Sequence, residues 1–136
     1  MAKRIGKYKV SKREAALSAV DGANIAGFVT ANEGISVGTT MNTFIASDTT
    51  PDVASGSYWL THASTQTLTH FNGGTVGQLL FVESTAAVTF DVSENVKCGG
   101  TDVVTADGDL TSWIYNGTDW LCIGVMDLNT DFNAMS

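Results

Sequence analysis

Residues 110–126, LTSWIYNGTDWLCIGVM, carry the strongest fold signal in this chain. Asn116-Gly117 is a dipeptide preferred in two-residue type I′ turns, and strand-forming residues flank it on both sides. The segment therefore predicts an antiparallel β-hairpin closed by a type I′ turn. Apolar residues occupy both alternating sets of positions along it, which predicts that both faces of the hairpin are covered.

The sequence from Gly22 onward repeats the same kind of signal. Short runs of β-branched and aromatic residues alternate with Gly, Asn, Asp and Ser at intervals of about 8 to 12 residues, a spacing typical of all-β domains. The further strands are predicted within 24–31, 34–41, 42–47, 57–63, 66–72, 77–84, 86–93 and 102–106, with a loop at 49–56 and a turn at 107–108. This spacing predicts a single β-sandwich, jelly roll or small barrel.

The run Leu79–Val82, LLFV, lacks the alternation of a strand with one face in water. A strand without alternation needs cover on its second face as well as its first. In a chain this short the expected cover is another copy of the same chain, because most soluble assemblies are homo-oligomers.

Positive charge is concentrated at the amino terminus. Residues 1–13 carry +6 and residues 14–136 carry −13, which together make the net charge of −7. We therefore predict a basic docking arm over residues 1–22 and a β-structured body over residues 23–136. The acidic body would repel phosphate backbones, so we expect it not to bind nucleic acid. The six basic residues of the arm are Lys3, Arg4, Lys7, Lys9, Lys12 and Arg13.

The arm has two possible conformations. Ser11 and Glu14 have the spacing of a capping box, which favours a short helix over about 12–20, whereas cations in its first turn favour an extended arm. The apolar stretch that follows is interrupted by Glu14, Asp21 and Asn24. We therefore expect no export signal and no membrane span, and assembly in the cytoplasm of the host.

Composition indicates an ordered domain. A chain of 136 residues is about one domain, and only 15% of them are charged, against about 25% on average. A core of this size needs no metal or disulfide. Cys98 and Cys122 are consistent with two buried free thiols, which we favour, or with one bridge.

Catalytic signals are weak throughout the sequence. His62 and His70 are the only histidines, and a zinc site needs three or four ligands. Asp107-Gly108-Asp109 is better explained as a turn than as part of a calcium loop, and Asn116-Gly117-Thr118 as the hairpin turn than as a glycosylation site. We found no nucleophile-elbow or phosphate-loop pattern. The expectation is a protein that is not an enzyme and has no metal or cofactor.

Aromatic residues offer one further candidate surface. Exposed rings could line an oligomer interface or a face that stacks on sugars, whereas burial in the core is the simpler alternative because aromatics supply much of the burial in a small β domain. The five residues in question are Tyr58, Trp59, Trp113, Tyr115 and Trp120.

Two stretches resemble proteins of tailed bacteriophages. The opening KRIGKYKVSKREAALSAVDGANIAG is similar to the N-terminal segment of small virion proteins, particularly from phages of aquatic bacteria. The second half resembles a β-module of phage fibre, appendage and capsid-decoration proteins, in which a GD turn, a strand, a second turn and a W strand follow one another. Here these fall on Gly108-Asp109, Asn116-Gly117 and Trp120. Residues 42–72 carry no such resemblance.

The resemblance implies a trimeric structural component of the virion without catalytic activity. Because 136 residues leave room for one arm and one head, we expect a capsid decoration, or cement, protein on the capsid surface. Its arm, at most about 45 Å long when extended, would bind the major capsid protein. The alternative is a tail fibre, appendage or adhesin module that binds host glycans. An internal protein with its arm on packaged DNA is a third possibility.

Overall fold

The computed structural model describes residues 26–28, 31–32, 34–36 and 41–129. The chain divides into two units, residues 1–35 and 36–136, and the fold described below is that of the second. The predicted arm helix lies outside the described residues, as does half of each of the two predicted strands at 24–31 and 34–41. The described half of each range is not in a strand, so these two strands are not confirmed.

The second unit is an all-β sandwich, as the sequence predicts. One mixed sheet of six strands has the order β1-β2-β4-β8-β9-β6, and a second sheet of three strands has the order β3-β5-β7. The described part of the chain contains no helix, and therefore none that could span a membrane. The strands are β1 (Asn42–Thr43), β2 (Tyr58–Leu60), β3 (Gln66–Leu68), β4 (Leu79–Glu83), β5 (Val88–Phe90), β6 (Val96–Lys97), β7 (Val103–Thr105), β8 (Leu110–Tyr115) and β9 (Trp120–Met126).

The six-stranded sheet is built around strands β4, β8 and β9, which pair antiparallel. Strand β2 adds to β4 and β1 adds to β2 in parallel, while β6 adds to β9 in parallel at the opposite edge. In the smaller sheet β5 pairs with β3 in parallel and with β7 antiparallel. The mixed pairing differs from the antiparallel jelly roll that was one of the predicted alternatives.

The hairpin predicted at 110–126 is confirmed as β8 and β9, but the predicted type I′ turn is wrong. Asn116 does not have a positive φ, and Gly117 does, at 102°. The Asn116 Oδ1 atom accepts hydrogen bonds from the backbone N–H groups of Thr118 and Asp119, at 2.9 and 2.7 Å. This side-chain cap, with Gly117 at a positive φ, holds the turn in place of the predicted type I′ geometry.

The hairpin also contains a β-bulge that the sequence did not indicate. Ser112 pairs with Gly124 and Trp113 pairs with Cys122, so Ile123 is an extra residue on β9. Strand β6 was missed as well, because Val96–Lys97 lies in the polar run SENVKCGG and becomes a strand only by pairing with Trp120 and Leu121. The loop at 49–56 and the other six strands from 42 to 106 are confirmed.

The core lies between the two sheets and centres on Phe71, which is 1% exposed. Its ring packs against four other rings, with centroid distances of 5.8 to 6.5 Å. These are mainly tilted and edge-to-face contacts, the arrangements that aromatic quadrupoles favour. The buried apolar residues are Phe44, Val53, Trp59, Leu68, Phe71, Leu80, Val82, Val88, Phe90, Val96, Trp113 and Trp120.

Asn95 anchors the segment of Phe71 inside this core. Its Oδ1 accepts from Phe71 N at 2.9 Å, its Nδ2 donates to Phe71 O at 3.0 Å, and its backbone O accepts from Trp120 N at 2.7 Å. Since Asn95 is 7% exposed, water does not readily replace these partners.

Asn95→Ala is expected to destabilise the fold by about 2 kcal/mol, because it leaves the buried Phe71 N–H without an acceptor. Thermal denaturation followed by circular dichroism should show a melting temperature lower by about 10 °C. Alanine at the exposed Asn129 is the matched control and should shift it by less than about 2 °C. Equal shifts for the two variants would contradict the role assigned to Asn95.

Candidate functional site

The predicted site residues fall into two groups. The six basic residues of the arm lie outside the described residues. The five aromatics do not form the predicted surface: Trp113 and Trp120 are fully buried and Trp59 is 8% exposed, so these three belong to the core. The alternation of β8 and β9 turns their indoles inward, where Trp113 Nε1 donates to Thr111 Oγ1 and Trp120 Nε1 to Phe71 O.

The two tyrosines are half-buried and belong to different surroundings. The Tyr115 ring lies 5.0 Å from that of Trp120, as part of the packing around the core. Tyr58 lies on the side of the six-stranded sheet that faces away from the core, where its hydroxyl donates a hydrogen bond to the Glu83 carboxylate. A continuous aromatic face for stacking on sugars is therefore not formed by these five residues.

The histidines take part in local hydrogen bonds. His62 Nδ1 lies 2.7 Å from Ser64 Oγ, and His70 bridges Asn95 Nδ2 at 3.1 Å and Glu94 Oε2 at 3.4 Å. Within the part of the chain that the structure describes, no three His, Cys, Asp or Glu side chains are grouped to hold a metal ion.

The most distinctive surface is the outer face of the six-stranded sheet, the side turned away from the core. Strand register places its side chains in cross-strand rows, because residues paired in register share a face. Three rows cross β4, β8 and β9: Leu79, Ile114 and Leu121; Phe81, Ser112 and Gly124; and Glu83, Leu110 and Met126. Tyr58 and Leu60 extend the second and third rows onto β2, and Lys97 extends the first onto β6.

Seven large apolar side chains therefore share this outer face: Leu60, Leu79, Phe81, Leu110, Ile114, Leu121 and Met126. All are half-buried or exposed, and Leu79, Leu121 and Met126 are 39%, 38% and 44% exposed. Single apolar residues on a surface are ordinary, but a contiguous group of this size marks an interaction site.

A shallow groove of about 240 Å³ runs across the middle of the outer face. Its floor lies over the small residues Ser112 and Gly124, and Phe81, Leu110 and Met126 are among the residues that line it. A row of small residues between larger ones forms a notch into which an apolar side chain of a partner could insert.

The outer face is also poor in charge. Of the ten Asp and Glu residues among those described, nine lie in loops and turns, and Glu83 is the one in a strand. The hydrogen bond from Tyr58 to Glu83 raises the pKa of the Tyr58 hydroxyl. Burial and the negative charge of Glu83 are smaller causes of the same shift. Lys97, at the opposite edge, donates to the carbonyls of Val92 and Glu94.

The outer face of the three-stranded sheet has a different character. Register groups Thr67, Thr89 and Val104 on it, opposite the buried positions Leu68, Val88 and Phe90. Two threonine hydroxyls and one valine make an ordinary solvent-facing surface. The asymmetry between the two sheets singles out the six-stranded sheet as the candidate docking face.

The run LLFV is the sequence signal for this face. It predicted that β4 needs cover on both sides, and the structure places Leu80 and Val82 in the core and Leu79 and Phe81 on the outer face. The hairpin also has apolar residues on both faces, but its outer face is only partly covered. The prediction that a second copy supplies the cover stays a prediction.

A family model describing the phage depolymerase C-terminal beta sandwich domain matches residues 33–121. This range contains strands β1 to β8 and the start of β9, including residues 42–72, for which the sequence alone suggested no relative. The comparison with curated proteins finds no match.

The fold and this match define a structural β-module of the bacteriophage virion. The chain belongs to the phage depolymerase C-terminal beta sandwich domain family. The resemblance to phage virion proteins is thereby confirmed at the level of a virion-associated structural protein.

Proposed function

We propose that this protein is a structural module of a phage tail fibre or related appendage, that it is not an enzyme, and that it assembles as a homotrimer. Family membership supports an appendage more than a capsid decoration protein, because the family takes its name from the C-terminal domain of phage depolymerases. The observation that carries the proposal is the apolar outer face on a sandwich of this family.

In the proposed trimer, the outer face of each copy packs against neighbouring copies. The 25 strand residues of the sheet, each covering about 3.3 by 4.8 Å, give it a projected area on the order of 400 Å². The smallest standard interfaces bury roughly 600 Å² of accessible surface per partner. The accessible surface of the sheet exceeds its projected area, because the side chains protrude from it.

Electrostatics favours the same face for contact between copies. The described residues carry ten carboxylates and one lysine, so two bodies repel one another in most orientations. On the outer face the one strand carboxylate, Glu83, already accepts a hydrogen bond from Tyr58, and no other acid of the strands lies near it. Copies can therefore approach through this face with the least repulsion.

The basic arm is proposed as the attachment element, because +6 in 13 residues suits an acidic surface on another virion protein. Three arms on one trimer would act together, so weak individual contacts would give firm retention. Deleting residues 2–13 should release the protein from particles without changing its fold or oligomeric state. Retention of armless protein at wild-type occupancy would contradict this role.

Immunogold labelling of intact particles, with the copy number measured by quantitative mass spectrometry, tests the location. A few copies at the tail are expected for an appendage. Many copies spread over the head would instead support the cement function predicted from chain length, with the major capsid protein as partner. The glycan-binding part of the alternative would need a surface other than the five aromatics.

A further inference from the structure

Cys98 and Cys122 lie side by side at one edge of the six-stranded sheet. Cys122 is within β9, and Cys98 directly follows β6, whose two residues pair in parallel with Trp120 and Leu121. Extending that register by one residue places Cys98 opposite Cys122. Neighbouring strands are about 4.8 Å apart, within the range of Cα separations that disulfides bridge.

The two side chains also point the same way. Both cysteines are half-buried, both are free thiols, and both pack against the core. Cys122 is also one of the groups that raise the pKa of the Cys98 thiol, as expected for two neighbouring thiols. Neighbouring thiols on paired strands are the starting geometry for a bond between them.

The backbone beside Cys98 leaves room for the final adjustment. Gly99 and Gly100 follow it, both are exposed, and a Cβ built on either would meet no atom within 4 Å. Gly99 has a φ of 87°, which suits glycine and marks a bend where the chain leaves β6. Cys98 can therefore shift by a few tenths of an ångström without disturbing packed side chains.

We propose that Cys98 and Cys122 form an intramolecular disulfide when the protein meets an oxidising medium, locking edge strand β6 to β9. The inference rests on the proposed function in one respect: a protein on the virion surface meets an oxidising medium after the virion is released. Within the host cytoplasm the pair would stay reduced. The two sequence interpretations of the cysteines then both apply: free thiols inside the host, and one disulfide after release.

The oxidant is a small disulfide, such as oxidised glutathione, and the chemistry is two exchanges. The Cys122 thiolate attacks one sulfur of the small disulfide, forms a mixed disulfide and releases one small thiolate. The Cys98 thiolate then attacks the Cys122 sulfur, forms the protein disulfide and releases the second. Two protein thiols are oxidised, one small disulfide is reduced to two thiols, and the two protons pass to the released thiolates.

The second exchange should be the slower one. Burial, with the neighbouring Cys122 as a smaller cause, raises the pKa of Cys98 to about 12. Because the thiolate is the nucleophile, the rate of ring closure should rise about tenfold for each pH unit between pH 7 and pH 9.

Closing the disulfide should raise the melting temperature by on the order of 10 °C, because the cross-link closes a loop of about 25 residues in the unfolded chain. The edge strand benefits most, since β6 is held to β9 by only two paired residues.

The test uses the purified full chain, reduced and then incubated with oxidised glutathione at pH 8. Intact-mass spectrometry should show the loss of two hydrogen atoms, peptide mapping should link Cys98 to Cys122, and the melting temperature should rise. Cys98→Ser and Cys122→Ser are the matched controls, and each should keep one cysteine, accept at most one glutathione and show no rise.

Three results would overturn the proposal: two thiols that stay free, a product with two glutathiones attached, or a disulfide between two chains. Closure at a rate that does not change with pH would overturn the role of the Cys98 thiolate as the attacking group. These outcomes do not depend on where the protein sits in the virion, so failure here and failure of the labelling experiment are separate.

Discussion

Replacing Phe71 by alanine is expected to lower the free energy of unfolding by about 3 to 5 kcal/mol. Phe71 is 1% exposed and its ring contacts those of Phe44, Phe90, Trp113 and Trp120. Truncation of a buried phenylalanine costs about 3 to 5 kcal/mol, from lost burial and from the cavity left behind. A domain of this size has about 5 to 15 kcal/mol in total, so this loss is a large fraction of its stability.

Urea denaturation followed by tryptophan fluorescence measures this effect, because three tryptophans lie in the core. The free energy of unfolding should fall by about 4 kcal/mol and the melting temperature by on the order of 20 °C. Phe71→Leu should lose about a third of that, because it keeps most of the apolar volume. Alanine at Val104, which is 70% exposed, is the surface control. If Phe71→Ala and Val104→Ala lost equal stability, Phe71 would not be the centre of the core.

Replacing Ile114 by lysine is expected to convert the proposed trimer into folded monomers. Ile114 lies between Leu79 and Leu121 in the first row of the outer face. In a trimer closed through this face, the lysine would bury an unpaired ammonium beside apolar side chains, at a cost of about 3 kcal/mol or more. The dissociation constant would then rise by about 100-fold or more.

Sedimentation equilibrium gives the mass, and circular dichroism shows whether the variant is folded. The wild type should sediment as a trimer and Ile114→Lys as a monomer with an unchanged spectrum. Val104→Lys is the matched control, since it puts the same charge on the threonine-rich outer face of the three-stranded sheet and should leave the trimer intact. A monomeric wild type, or an Ile114→Lys protein of unchanged mass, would reject the outer face as the interface.

One sequence feature points to the candidate docking face: the run LLFV does not alternate apolar and polar residues. That pattern predicts two covered faces for β4, but it does not identify the other members of the surface. The outer face also depends on Ser112 and Gly124 lying in register with Phe81, and this register crosses three strands. Pairing between strands far apart in the chain is a tertiary property, so no local pattern reports it.

The aromatic residues show where local patterns fail. For Trp113 and Trp120 the sequence favours the core but leaves a surface for stacking open, because strands in a sandwich have two faces and the sequence does not label them. The structure buries both, and the β-bulge at Ile123 shifts which residues of β9 face outward beyond it. Asn116 illustrates the same limit at a turn, where a side-chain cap replaces the predicted backbone geometry.

The sequence by itself determined the all-β class, the β8/β9 hairpin, most of the strands and the concentration of positive charge in residues 1–13. These depend on residue type and short-range spacing, which act within a few residues of each other. Only the tertiary structure decided the mixed strand order, the short strand β6, the placing of Cys98 beside Cys122 and the apolar outer face. Each of these requires segments distant in the chain to lie side by side, and that arrangement is set by how all the apolar side chains pack into one core.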